Sequence, residues 1–193
     1  MTASSTRCCR SLEGLAALVL LCLGLAAAPP ARADRIDVQK ATLEAAEDGY
    51  VLEADFQIEL TPVLDDALSK GVPLHFTFEF ELIRPRWYWF NERIAGARQQ
   101  YRLSYNALTR QYRVAVRALH QNFATLTEAL EFMSRVRLRE IAEPGALARG
   151  YTYTAAVRLR LDTSQLPRPF QITAVGSRDW SISSDWHRWT LSP

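Results

Sequence analysis

Three histidines, His75, His120 and His187, are the chain's imidazoles, and a transition-metal site built locally would need two such ligands at a short helical or turn spacing. None has that spacing. His75 and Glu79 fall four residues apart on one face of an alternating run, about 13 Å along a strand, whereas metal–ligand bonds are about 2 Å. Only ligands converging from distant strands are left. A serine hydrolase would be marked by a strand-to-helix turn of the G-x-S-x-G kind. Gly176-Ser177 and the cluster from Ser181 to Ser184 do not fit it and read as loop polarity. Asp65 and Asp66 are adjacent on a helical stretch, so their carboxylates point to different sides and do not form an acid–base pair on one substrate. Eight glycines are scattered without a phosphate-binding loop. These residues predict a protein with no catalytic site, no metal and no cofactor, and a hydrolase whose groups assemble from separate loops is the remote alternative.

Binding chemistry is better represented. Residues 34–66 hold ten acids against Arg35 and Lys40, while residues 84–117 hold eight arginines against Glu92. Beyond residue 33 the chain nonetheless balances, with 20 basic and 20 acidic residues, which disfavours a general polyanion binder and nucleic acid with it. The polarised blocks have two readings. In one, Glu53, Asp55 and Glu59 face Arg102, Arg113 and Arg117 across neighbouring strands, each pair contributing about 0.2–1 kcal/mol. In the other, the arginine sector meets an anionic partner: lipid head groups, envelope glycan or an acidic protein surface. Arginine outnumbers lysine 18 to 2 beyond residue 33, which suits bidentate recognition.

Between Arg84 and Arg93 four aromatics stand in a row, Trp87, Tyr88, Trp89 and Phe90. On a strand over residues 86–91 they would alternate sides, sandwiched between the sheet core and a helix or the carboxyl-terminal Trp186 and Trp189. The competing reading is an exposed platform that stacks on sugars or inserts at a partner or membrane surface. Arg84, Arg86, Trp87, Trp89, Arg93, Trp186, Arg188 and Trp189 are the candidate partner-binding residues, with Trp180 expected nearby.

Strands must position these residues. Tyr50 to Leu60 alternates wet and dry, Ile36 to Ala45 is its hairpin partner, and Asp48-Gly49 supplies the positive-φ turn. Leu74, Phe76, Phe78, Phe80 and Leu82 line one side of a second long strand. Tyr101 to Tyr105 turns through residues 106–110 and returns with Val114 and Val116, and Tyr151 to Leu161 alternates again. Shorter strands are expected at residues 86–91, 170–175 and 185–191. Thr61-Pro62 opens one short helix closed at Gly71; Thr125 and Glu128 form a capping box for a second, with Arg135, Arg137 and Arg139 near its carboxyl end. The pattern predicts a mainly β protein, an antiparallel β-sandwich immunoglobulin-like in general architecture, with two short helices. One domain is expected over residues 34–193.

Ahead of it, Arg7 and Arg10, fifteen uncharged residues from Gly14 to Ala28, and Ala31-Arg32-Ala33 read as a secretory signal peptide over residues 1–33, cleaved before Asp34. Cys8, Cys9 and Cys22 would leave with it, and no transmembrane segment would remain in the mature protein. That leader, the stretch LTPVLDDAL (60–68), FEFEL (78–82), YRLSYNALTRQYRV (101–114) and the Trp-rich close from Trp180 to Trp189 together resemble a proteobacterial exported family known as a domain of unknown function, DUF 4390. The resemblance implies a Gram-negative periplasmic protein, often encoded near a membrane sensor kinase of the nitrogen-regulation type, and implies no reaction. The expected function is a periplasmic binding or accessory module acting on an envelope protein partner, with envelope glycan or lipid binding as the alternative.

Overall fold

Period-two alternation builds most of the backbone. A computed structural model describes residues 36–88, 90–174 and 177–193; the expected leader and Trp89 lie outside the described residues. The smaller sheet has strands β1 (Ile36–Ala46), β2 (Gly49–Ile58) and β7 (Arg135–Leu138), antiparallel in the order β1-β2-β7. The larger contains β3 (Leu74–Arg84), β4 (Glu92–Asn106), β5 (Gln111–Val116), β6 (Leu119–Phe123), β8 (Tyr153–Leu161) and β9 (His187–Leu191). Its order is β6-β5-β4-β3-β8-β9, antiparallel throughout. Three short helices accompany the sheets: α1 (Pro62–Ser69), α2 (Leu126–Ser134) and α3 (Arg168–Ala174).

The two sheets share one core. Leu52, Ala54, Phe56 and Ile58 of β2 face Leu74, Phe76, Phe78, Phe80 and Leu82 of β3, and every one of these β3 side chains is fully buried. Phe56 meets Phe78 edge to face at 5.9 Å, the geometry that aromatic quadrupoles favour. The mainly β two-layer architecture therefore follows from alternation. At the first hairpin Ala46 pairs with Gly49, whose φ of +129° and close approach to the Ala142 carbonyl leave no room for a Cβ. Thr61 caps α1 by accepting a hydrogen bond from the Leu64 N–H at 3.0 Å, and the Thr125–Glu128 capping box opens α2.

Three expectations change. Of the expected strand at 86–91, the described residues 86–88, 90 and 91 form no strand, because Pro85 cannot extend the ladder. The expected strand at 170–175 falls in α3, where Phe170 packs on Trp180 at 5.5 Å. Trp180 is consequently core, 5% exposed. Arg135 follows α2 as its C-cap, and from there Arg135 and Arg137 run into β7, where they sit opposite Asp55 and Glu53.

Candidate partner-binding site

The β3–β4 hairpin closes with Arg84 opposite Glu92, so residues 85–91 project beyond the sheet as its tip. Trp87 is 95% exposed, Tyr88 67% and Phe90 84%, and Trp87 meets Tyr88 edge-on at 5.2 Å. Trp87, Tyr88 and Phe90 are therefore not sandwiched in the core. The base of the tip is tied: Arg84 and Arg86 both donate to the Glu92 carboxylate, and the Arg84 guanidinium lies 4.8 Å over the Tyr151 ring. Burial works to raise the Glu92 carboxyl, but the hydrogen bonds from Arg86 and Arg84 hold it below its usual range. Arg93 reaches back to Glu81 at 3.9 Å across space that Gly96 leaves open.

The remaining candidates are separated. Trp186 is half-buried, with Arg158 stacked 4.6 Å over its ring. It lies near the level of Glu79, four strand positions from Ile83 at the hairpin base, or about 13 Å. Trp189, opposite Ala155, packs against the core edge. Arg188, opposite Ala156, is exposed on the outer face of the larger sheet. The eight residues thus split among the tip, that outer face and an edge strand, and Trp89 lies outside the described residues.

The outer face carries what the sequence reading missed. By register Arg93, Arg98, Arg102, Arg113, Arg158, Arg160 and Arg188 all face outward there with Glu79 and Glu81, and Asp162 just past β8 stands opposite His75 and acts on Arg160, a surplus of four positive charges. Glu79, only 8% exposed, is its hub. It accepts from Arg98 and from Arg158 at 2.5 Å each, and Arg160 Nε stands at 3.5 Å. Burial alone would raise the Glu79 carboxyl, yet the hydrogen bonds and charges of these arginines bring it down to about 2. Next to it, His75 is lowered first by burial and then by the charge of Arg102, with Asp162 acting the other way. The outward alternation of Arg158 and Arg160 was visible in the sequence; their strand's neighbour was not.

The expected pairing of Glu53, Asp55 and Glu59 with Arg102, Arg113 and Arg117 is absent among the described residues. β2 lies in one sheet and β4–β5 in the other, so their outer faces look in opposite directions. Glu53 instead pairs with Arg137 at 2.9 Å, and Arg113 Nε donates to Asn122 at 3.0 Å. A shallow hollow of about 250 Å³ beside the first hairpin is lined by Asp48, Gly49, Arg137, Arg139 and Glu140 among others. It is smaller than the roughly 300–1,000 Å³ of ordinary ligand pockets. No helix among the described residues is long and apolar enough to cross a membrane.

Fold and surface together define an antiparallel two-sheet protein with an aromatic tip and a basic outer face. The chain belongs to the family described as a domain of unknown function, DUF4390, whose model matches residues 33–190. No curated protein and no solved structure matches it.

Proposed function

We propose that the chain is a non-catalytic binding module of the cell envelope, exported to the periplasm, that docks on a protein partner through the β3–β4 tip. The observation carrying this reading is Trp87, 95% exposed at the end of a hairpin whose base is fastened by Arg84, Arg86 and Glu92. A large aromatic held in water gains much by burial in a partner's pocket, and tryptophan, tyrosine and arginine dominate interface energetics. Ion pairs at the base reduce the ordering cost of docking. A link to a membrane sensor kinase rests on the family resemblance alone.

A photo-crosslinking amino acid placed at position 87, and at 188 on the outer face, tests the reading in living cells by mass spectrometry of the adducts. One envelope protein is expected from position 87, and Trp87→Ala with Arg86→Ala should weaken its capture by tenfold or more, as for roughly 1.4 kcal/mol. The melting temperature should stay within about 3 °C, as for surface substitutions. Adducts with lipid or glycan only, or none, would replace or remove the proposal.

A further inference from the structure

At the centre of the basic face two buried polar atoms make no hydrogen bond within the chain. Thr77 points outward from β3, opposite Arg160 of β8 and Gln100 of β4. Thr77 is 1% exposed, and neither its Oγ1 nor the equally buried Arg160 Nε makes a hydrogen bond. Glu79 does not serve the second, since its 3.5 Å approach lies beyond a good N–H···O distance. Buried polar atoms are almost always satisfied, and a hydroxyl and a guanidinium Nε–H on neighbouring strands can both donate to one acceptor oxygen. The surroundings say which kind. Arg98 and Arg158 are held in place by Glu79, and Trp186 supports the flat of the Arg158 guanidinium. The local arginines exceed what one carboxylate neutralises, and a fixed guanidinium fork matches an oxyanion.

We infer that the outer face of the larger sheet is a recognition site for carboxylates, anchored at Thr77 and Arg160, and that its occupant is an extended acidic segment of a protein partner. The excess of arginine on this face, in a chain whose charges beyond residue 33 balance to zero, supplies the complementarity. Arg158 and Arg160 are two residues apart on β8, a spacing of about 6.6 Å that matches alternate side chains of an extended peptide. Lipid is the weaker occupant, because interfacial surfaces combine cations with exposed apolar side chains on the same face. Here the exposed aromatics stand at the hairpin tip, and Trp186 is half-buried. Choosing a protein segment rests on the docking reading above; the carboxylate site does not.

Titration of ¹⁵N-labelled protein with decaglutamate tests the site through the arginine Nε–H resonances. The Arg160 signal should move and saturate, binding should fall with salt, and Thr77→Val should weaken it about tenfold, as for a lost hydrogen bond to a charged group. Trp87→Ala should leave this affinity unchanged, so a failure of position 87 to crosslink an envelope protein, with decaglutamate binding intact, would sink the docking reading and spare the site. Should Val at position 77 disturb the spectrum globally, Arg160→Gln replaces it with the same expectation. An unchanged affinity in Thr77→Val with a raised melting temperature would overturn the site and mark a cavity for structural water. Binding of anionic phospholipid vesicles but not decaglutamate would overturn the occupant in favour of a membrane surface.

Discussion

The outer faces of the two sheets are made of the same residue types and behave oppositely. On the smaller sheet Asp37, Glu44, Glu53 and Asp55 stand with Lys40, Arg135 and Arg137, so acids and bases nearly cancel across neighbouring strands. Its one close pair, among the described residues, is Glu53–Arg137, with both side chains about half in water. On the larger sheet seven arginines crowd two glutamates, and Glu79 lies beneath three of them. Balance in solvent makes a face that needs nothing further. Surplus around a buried carboxylate makes one that is fixed in place yet electrostatically incomplete, which is the condition for recognising an anion.

The contrast is broken most severely at Glu79. Glu79→Ala removes the carboxylate shared by Arg98, Arg158 and Arg160, and should cost about 3 kcal/mol in urea unfolding at neutral pH, at the low end for a buried pair because the arginines are partly solvated. A loss under about 1 kcal/mol would mean that water already screens the cluster. Titration measures the same hub without mutation. Its folded value of about 2 lies below the ordinary 4.5, so between them the unfolded chain binds the proton more readily. The stabilisation is complete above about pH 4.5 and vanishes as pH falls toward 2, on the order of 3 kcal/mol in all. Glu79→Gln should flatten that part of the stability profile. An unchanged acid limb would assign it to other carboxylates.

A neutral site supplies an intermediate ruler. Thr61 is fully buried; its hydroxyl accepts from Leu64 N–H and donates to the Asp179 carbonyl at 2.8 Å, joining α1 to the carboxyl-terminal segment. Thr61→Ala should cost about 1–2 kcal/mol, read from the shift in urea midpoint, below the Glu79 effect despite the deeper burial. Equal losses at both positions would make burial, and not uncompensated charge, the governing variable.

The long strands β1, β2, β3 and β8, the first hairpin and both capped helices were legible because each depends on neighbours a few residues away, whereas β6 was not expected. Phe76, Phe78 and Phe80 alternate with polar residues and could be buried on only one side. The hub was not legible, since Glu79 and Arg158 are 79 residues apart and meet through the β3–β8 pairing. Alternation tells which residues face outward, not which strand lies alongside. The same limit misassigned the acidic partners: Glu53, Asp55 and the central arginines were all read correctly as outward, on what proved to be different sheets. β7 escaped notice because four residues, RVRL, are too few to show a period. The tip misled for another reason: four consecutive aromatics read as strand by propensity, and tertiary exposure overrode it.

The smallest expected effect is the one that gives the comparison its meaning. Glu53 forms an ion pair at 2.9 Å with Arg137, as close as many buried ones, but the side chains remain 46% and 63% exposed. Each charge therefore keeps much of its hydration, and the Coulomb gain is offset by the ordering of two long side chains. Glu53→Gln should change stability by less than about 0.5 kcal/mol, and 0.5 M salt should remove what difference there is. A double-mutant cycle with Arg137→Gln isolates the pair from other consequences of either substitution. A coupling as large as that between Glu79 and Arg158 would erase the distinction between the faces. Near-zero coupling at Glu53 beside a strong one at Glu79 would show that desolvation, more than distance, separates a solvated ion pair from one fixed around a buried carboxylate.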